Sequence, residues 1–197
     1  MYKYLLFAIL LISGQAHAAD CPPLLNRSIY TLQGDPINMC QFTGKAILVV
    51  NTASKCGFTP QFDKLEGLYR QYGKKGFVVI GFPSNDFHQE LADKKEIAQF
   101  CRLTFNVKFP MMEPSSVRGR EANALFKDLI KATGAEPTWN FHKYLIDPDG
   151  STVYSFDTPV EPDSPVILGK IETMLERKPV SLNEDYFQMH LQMTGRL

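Results

Sequence analysis

Two short apolar runs, residues 46–50 and 77–82, constrain this chain most strongly. Both are rich in β-branched or aromatic side chains, and both have the length of a strand that is buried on its two faces. Between them, Thr59 is expected to cap a helix whose first residue is Pro60 and which ends at Gly73. The sequence therefore predicts a strand, a helix and a second strand in succession.

Three further helices and a hairpin follow in the predicted order. Asp93 and Glu96 have the spacing of an N-cap and its reciprocal partner, and residues 121–132 and 164–177 are also expected to be helical. A Pro-Asp-Gly turn at residues 148–150 is expected to join the apolar segments on its two sides as an antiparallel hairpin. This order predicts an α/β fold with a central mixed β-sheet flanked by helices.

The first 18 residues are typical of a cleavable signal peptide. Lys3 provides a basic start, residues 5–12 form a continuous apolar run, and an Ala-x-Ala sequence ends at Ala18. The apolar run is far shorter than the ~20 residues that span a bilayer, so stable membrane insertion is not expected. We therefore expect cleavage after Ala18 and a periplasmic or secreted protein.

The rest of the chain fits one folded domain of residues 19–177, followed by a polar C-terminal extension, residues 178–197, to which the sequence assigns no role. The 21 basic residues balance the 21 acidic ones, which argues against a dedicated nucleic-acid-binding protein. Hydrophobic residues make up 44% of the chain, a proportion that excludes wholesale disorder.

The four cysteines are Cys21, Cys40, Cys56 and Cys101. In an exported protein, structural disulfides are the default, and four cysteines allow three pairings. The chain contains no C-x-x-C sequence, the usual signature of a thiol–disulfide oxidoreductase. The cysteines and histidines lack metal-ligand spacing, so we expect neither a zinc site nor another cofactor.

Cys56 is the candidate nucleophile because it lies between a predicted buried strand and a helix start. The unpaired N–H groups and partial positive charge of a helix N-terminus stabilise a thiolate there. Lys55 adds a nearby cation, and Gly57 allows backbone N–H groups to approach closely. The local pattern is equally compatible with Cys56 as one half of a structural disulfide.

Three segments resemble the motifs of the glutathione peroxidase family, in the family's order and spacing. VVNTASKCGFTPQ at residues 49–61 is similar to the active-site segment, GFPSNDF at residues 81–87 to the second motif, and WNFHKYL at residues 139–145 to the third. The resemblance covers most of residues 19–177 and implies a thioredoxin-like fold, in agreement with the element order. It also implies a thiol peroxidase that reduces hydrogen peroxide or organic hydroperoxides in the response to oxidative stress.

The resemblance assigns roles to individual residues. Cys56 matches the peroxidatic position, so its thiolate would attack the peroxide O–O bond and become a sulfenic acid. Trp139 and Asn140 match two polar partners whose N–H groups can stabilise the thiolate and the leaving oxygen. Their adjacency favours this role for Trp139 over that of a core aromatic.

Asp86 departs from the family pattern, because it stands where the family usually has glutamine, and one glycine is missing before His88. An ionised carboxylate has no hydrogen to donate and would repel a thiolate. Three alternatives stay open here. Asp86 is protonated, Asn85 or a backbone N–H replaces it, or Gln89 supplies the amide.

Cys101 resembles the resolving cysteine of the family's cysteine-containing, thioredoxin-dependent branch, here in an exported, bacterial-type member. It would condense with the Cys56 sulfenic acid to form a disulfide. Cys101 lies on an apolar helix face, so this helix would have to loosen to bring the two Cα atoms within ~7 Å. Cys21 and Cys40 have no evident place in this chemistry, and we expect them to form a structural disulfide in an exported protein, with two free thiols as the alternative.

The reductant implied by this cycle is a thioredoxin-like dithiol protein or glutathione. A short stretch between Met111 and Trp139 lacks the extra loop of the family's tetrameric members and favours a monomer. Competing functions on the same fold are a redox sensor, a thiol–disulfide oxidoreductase and a non-catalytic binding module.

Overall fold

The computed structural model describes residues 20–177, so the predicted signal peptide and C-terminal extension lie outside the described residues. None of the helices in the described part is long and apolar enough to cross a bilayer. The strands are β1 (Ser28–Tyr30), β2 (Pro36–Asn38), β3 (Ala46–Thr52), β4 (Phe77–Pro83), β5 (Lys143–Ile146) and β6 (Val153–Phe156). The α-helices are α1 (Gln61–Tyr72), α2 (Lys94–Phe105), α3 (Ala124–Thr133) and α4 (Pro165–Glu176).

The central sheet has the strand order β4-β3-β5-β6. Strands β3 and β4 are parallel, because α1 carries the chain back between them, whereas β5 is antiparallel to both β3 and β6. The predicted mixed sheet and the β5–β6 hairpin are therefore confirmed. The separate antiparallel pair of β1 and β2 was not predicted, since each strand has only three residues and too little alternation to detect.

Two apolar layers enclose the sheet, which explains why β3 and β4 are buried along their whole length. Alternate residues of β3 point to opposite faces. Leu48 packs in the layer formed with α1 and α4, and Val49 packs in the layer formed with α3 and the N-terminal segment. The free cysteines Cys56 and Cys101 both belong to the α1–α4 layer.

A disulfide joins Cys21 to Cys40, with 5.3 Å between their Cα atoms, as predicted. Cys40 lies in a single 3-10 turn, Met39–Phe42, whose buried side chains pack in the same layer as α3. The bridge thus fastens the N-terminal segment across the end of the sheet.

Capping side chains set the first turns of α2 and α3. The Asp93 carboxylate accepts hydrogen bonds from two backbone N–H groups at the start of α2, as predicted. Helix α3 begins at Ala124 rather than at the predicted Glu121, because the Asn123 side chain accepts from Phe126 N at 3.0 Å and sets the first turn there.

Candidate active site

Cys56 lies in the turn between β3 and α1 and is only 8% exposed. Its Sγ accepts a hydrogen bond from the backbone N–H of Phe58, over 3.4 Å. Its own N–H donates to Thr59 Oγ1 over 3.1 Å. The sulfur therefore faces one backbone N–H group in the turn that leads into α1, close to the helix end where negative charge is stabilised.

Thr59 has a different role from the predicted one. Helix α1 begins at Gln61 with Pro60 as the N-cap residue, and no side chain caps it. Instead of capping the helix, the Thr59 hydroxyl closes the cysteine turn, accepting from Cys56 N and bonding to Ala53 O over 3.2 Å. The prediction failed because the same hydroxyl was needed by the backbone of the turn before the helix.

Gln89 connects the cysteine turn to Asn140. Its carbonyl oxygen accepts from Lys55 N over 2.8 Å, and its side-chain Oε1 accepts from Asn140 Nδ2 over 2.9 Å. Asn140 is completely buried, and its Oδ1 has no hydrogen-bond partner among residues 20–177. Two amide groups are thus ordered beside the turn that holds Cys56.

Trp139 lies at the surface of this site, with 41% of the residue exposed, and is not a core aromatic. Its ring packs against Phe87 at a centroid distance of 5.4 Å. Its carbonyl oxygen accepts from Asn51 Nδ2 over 3.1 Å, and Asn51 O accepts from Phe141 N over 2.6 Å. Asn51, which sequence analysis did not single out, therefore ties the tryptophan loop to β3; its position at the polar end of an apolar strand was the available signal.

The Asp86 carboxylate forms its hydrogen bonds with residues other than Asn140. The carboxylate oxygens accept from Ser116 Oγ over 2.9 Å and from Val117 N over 2.7 Å. Asn85 Oδ1 accepts from Glu90 N over 3.2 Å. Of the three side chains considered for the family's amide position, Gln89 is the one that hydrogen-bonds to Asn140.

Glu90 is a buried carboxylate that sequence analysis missed, because no periodic pattern marks it. Its Oε1 accepts from Ser54 N over 3.0 Å and from Leu91 N over 2.8 Å, so it joins the cysteine turn to the segment leading into α2. Burial raises the pKa of Glu90, while these hydrogen bonds act in the opposite direction.

Cys101 lies inside α2 and is only 3% exposed, in agreement with the predicted apolar face. Burial, with a further contribution from the negative charge of Glu90, raises the pKa of Cys101 to about 12. Cys101 is therefore a neutral thiol in this conformation.

Lys143 was also missed as part of the site, although a lysine inside an apolar strand was a visible signal. It is completely buried, and its Nζ donates to Gln61 Oε1 over 2.9 Å and to Thr158 O over 3.2 Å. Thr158 Oγ1 in turn donates to Asn140 O over 2.7 Å. Burial lowers the pKa of Lys143 to about 8. This cluster links the first residue of α1 to the loop that carries Asn140.

The arrangement is that of a cysteine-dependent redox enzyme on an α/β scaffold. A free, shielded sulfur faces a backbone N–H group in the turn before a helix. Amide and indole groups lie on the neighbouring loops, and a second free thiol is buried in the same layer. Such a sulfur can act as a nucleophile that is oxidised and then resolved by another thiol.

Comparison with known proteins identifies the family. The model of the family described as Glutathione peroxidase matches residues 24–130. Glutathione peroxidase-like peroxiredoxin GPX5 of Chlamydomonas reinhardtii is 43% identical over an alignment of 155 residues, and the match covers 73% of this chain and 91% of that protein. Hydroperoxy fatty acid reductase gpx1 of Synechocystis is 41% identical over 166 residues, covering 76% and 97% of the two chains.

A solved structure, Trgpx in apo form, superposes with a TM-score of 0.63 at 32% identity and covers 78% of this chain and 96% of its own. The chain belongs to the glutathione peroxidase family, and its fold is thioredoxin-like, as predicted. It is a thiol peroxidase, which confirms the predicted activity.

Proposed function

We propose that Cys56 is the peroxidatic cysteine of this enzyme. Its thiolate attacks one oxygen of the hydroperoxide, the O–O bond breaks, and the second oxygen takes a proton and leaves as water or an alcohol. The sulfur is oxidised to a sulfenic acid and the peroxide is reduced. The observation that carries this assignment is the Phe58 N–H directed at Cys56 Sγ at the start of α1.

Gln89, Trp139 and Asn140 supply the polar surroundings of the reacting atoms in this proposal. Gln89 and Asn140 are hydrogen-bonded to each other, so their orientation is set before the peroxide arrives. Gln89 takes the amide role of the family's glutamine, while Asp86, at the equivalent position in the chain, holds the segment at Ser116 and Val117 in place.

Cys101 is the resolving cysteine in this cycle. Its sulfur attacks the sulfenic sulfur, hydroxide leaves and is protonated to water, and a Cys56–Cys101 disulfide forms. Because Cys101 is buried within a regular helix, α2 has to loosen before the sulfurs meet with the Cα separation of ~7 Å or less that a disulfide requires.

The reductant is a thioredoxin-like dithiol protein, with glutathione as the alternative. A dithiol resolves an intramolecular disulfide in two successive exchanges within one complex, whereas two glutathione molecules have to react in turn. Relatives named as peroxiredoxins and as a hydroperoxy fatty acid reductase support organic hydroperoxides as substrates beside hydrogen peroxide.

We also propose that the enzyme is an exported, bacterial-type monomer in the periplasm or outside the cell. The basic, apolar and Ala-x-Ala segments of residues 1–18 support cleavage of a signal peptide. The Cys21–Cys40 disulfide agrees with an oxidising compartment.

Disulfide mapping tests the proposed cycle. The full chain is mildly reduced, treated with one equivalent of hydrogen peroxide, blocked with an alkylating reagent, digested and analysed by mass spectrometry. We expect a new Cys56–Cys101 link while Cys21–Cys40 is present throughout. In the control variant Cys101→Ser, Cys56 is expected to be oxidised without the link. A Cys56 that stays unmodified would refute its peroxidatic role.

A further inference from the structure

A cavity of about 690 Å³ lies on the side of α2 that faces the loop after β1 and the segment of residues 107–111. Its size is within the ~300–1,000 Å³ range of small-molecule sites. Cys101 lies in its wall, among residues from all three segments. The cavity is therefore a space shared by the proposed resolving helix and the parts of the fold against which that helix rests.

The charged side chains that line the cavity are all cationic. They are Lys94, Lys95, Arg102 and Lys108, and the lining contains no aspartate or glutamate. Lys94 is paired with Glu113 outside the lining, over 2.7 Å. Lys95, Arg102 and Lys108 form no ion pair within residues 20–177. A second carboxylate outside the lining, that of Glu66, accepts from Lys108 N over 2.8 Å. The four lining cations outnumber these two carboxylates, in a chain whose formal net charge is zero.

We propose that the cavity binds a small polyanion, a molecule with two or more carboxylate or phosphate groups. Lysine and arginine side chains form strong, charge-assisted hydrogen bonds with such groups. Gln33 and Gln99 add amide donors to the same lining. A ligand with one anionic group would pair with cations of α2 or with Lys108, whereas a polyanion can pair with both.

A bound polyanion would hold α2 in its helical form. Lys95 and Arg102 lie on α2, and Lys108 lies on the segment after it, so one ligand can bridge the two. The chain passes between them through Asn106, which ends the helix in the left-handed conformation, and Val107 N donates to Cys101 O over 3.1 Å. This consequence rests on the proposed function. The bound polyanion slows the loosening of α2 and hence the attack of Cys101 on the Cys56 sulfenic acid, but it leaves the oxidation of Cys56 unchanged.

Binding is tested by isothermal titration calorimetry and thermal unfolding of the full chain with citrate and with pyrophosphate, at an ionic strength held constant with sodium chloride. The double variant Arg102→Gln/Lys108→Gln removes two lining cations. Its matched control, Lys127→Gln/Lys131→Gln, removes two exposed cations of α3 that lie outside the cavity lining. We expect the first variant to bind at least about tenfold more weakly, since two charge-assisted hydrogen bonds are lost, and the control to bind like the parent chain.

The two anions separate carboxylate from phosphate ligands, and binding of either one supports the site. Absence of binding to the parent chain by both methods would overturn the proposal, and so would equal weakening in the two double variants.

The kinetic arm follows Cys56 oxidation and Cys56–Cys101 disulfide formation by rapid quenching and mass spectrometry, with and without the anion that binds. We expect the bound anion to slow disulfide formation several-fold in the parent chain and in the α3 control, with no effect on the first step. Specific binding without such slowing would refute the effect on α2. A Cys56 that is never oxidised would refute the proposed function and leave the binding result standing.

Discussion

Cys56 and Cys101 are both free and buried in the same apolar layer, yet their surroundings differ in the feature that governs thiol reactivity. Cys56 lies in a turn at a helix start, and a backbone N–H is directed at its sulfur. Cys101 lies inside a helix whose backbone N–H groups are already paired, and burial raises its pKa to about 12. Two cysteines of similarly low exposure therefore differ in the hydrogen bonding of their sulfurs, a feature on which thiol reactivity depends.

Glu90 is hydrogen-bonded to the turn that holds Cys56 and acts on Cys101 through its negative charge. Its carboxylate accepts from Ser54 N and so fixes the turn that presents Cys56. The same negative charge contributes to the raised pKa of Cys101. One carboxylate thus holds the turn that contains Cys56 and adds to the effect of burial on the pKa of Cys101.

Replacing Cys56 or Cys101 by serine is expected to give the largest effects on peroxide reduction. Cys56→Ser is expected to lower peroxide reduction by roughly a thousandfold or more, because the other free thiol among residues 20–177, Cys101, is buried and has a pKa of about 12. Cys101→Ser is expected to retain the first oxidation of Cys56 and to lose turnover with a thioredoxin-like donor. Stopped-flow measurement of peroxide consumption, in single and multiple turnover, separates the two. Full turnover by Cys101→Ser would contradict the resolving role.

Removing the Asn140 amide tests whether this polar group promotes the oxidation of Cys56. Asn140→Ala is expected to slow Cys56 oxidation by roughly 10²-fold, the magnitude found when a preorganised donor is lost. Asp86→Asn serves as the control, and we expect it to change this rate little because its carboxylate bonds to Ser116 and Val117. The measurement is the second-order rate of the first oxidation, with circular dichroism to verify folding. A larger effect of Asp86→Asn than of Asn140→Ala would give Asp86 the direct role.

The Cys21–Cys40 disulfide is expected to stabilise the fold, although it lies outside the candidate active site. Cys21→Ser/Cys40→Ser is expected to lower the free energy of unfolding by about 3 kcal/mol, the chain-entropy value for a loop of this size. The rate of Cys56 oxidation is expected to stay the same. Urea unfolding measures the first quantity and stopped-flow the second. An unchanged unfolding midpoint would refute the structural role of this bridge.

Glu90→Gln is expected to give the smallest effect and tests the link between the two cysteines. The change keeps the side-chain oxygen that accepts from Ser54 N and removes the negative charge. The pKa of Cys101 should therefore fall, so that its thiolate is more abundant at a given pH. Alkylation of Cys101 near pH 9 is therefore expected to be faster than in the parent chain, by roughly two- to threefold. The rate is measured in a Cys56→Ser background.

The control for this measurement is Glu96→Gln, which removes an exposed carboxylate at the start of the same helix. We expect this control to alkylate at the parent rate. Equal acceleration by both variants would mean that general charge, and not Glu90, acts on Cys101.

Much of the fold was predictable because it depends on patterns that are local in sequence. Strands β3 and β4 are buried on both faces, so they occur as continuous apolar runs, and the cap of α2 is set by Asp93 within one turn. Strands β1 and β2 were missed because their three-residue length carries no detectable period. The start of α1 was misplaced because Thr59 serves the cysteine turn and not the helix.

The candidate site was predictable only in part. The strand–cysteine–helix pattern singled out Cys56, and the family resemblance added Trp139, Asn140, Cys101 and the position of Asp86. The sequence left the source of the second amide open among three side chains. The contact of Gln89 with Asn140 joins residues 51 positions apart, and no local pattern encodes such a contact.

The sequence by itself determined the strands of the central sheet, the four α-helices and their order, the candidate nucleophile and the family to which the chain is similar. It could do so because propensity, apolar periodicity and motif spacing are properties of neighbouring residues. The tertiary structure decided that Gln89 contacts Asn140 and that Asp86 bonds to Ser116. It also decided that the buried Glu90 bonds to the turn that holds Cys56, and that four cations line a cavity together with Cys101. Those features depend on which distant segments meet, and burial then fixes how each polar group finds a partner.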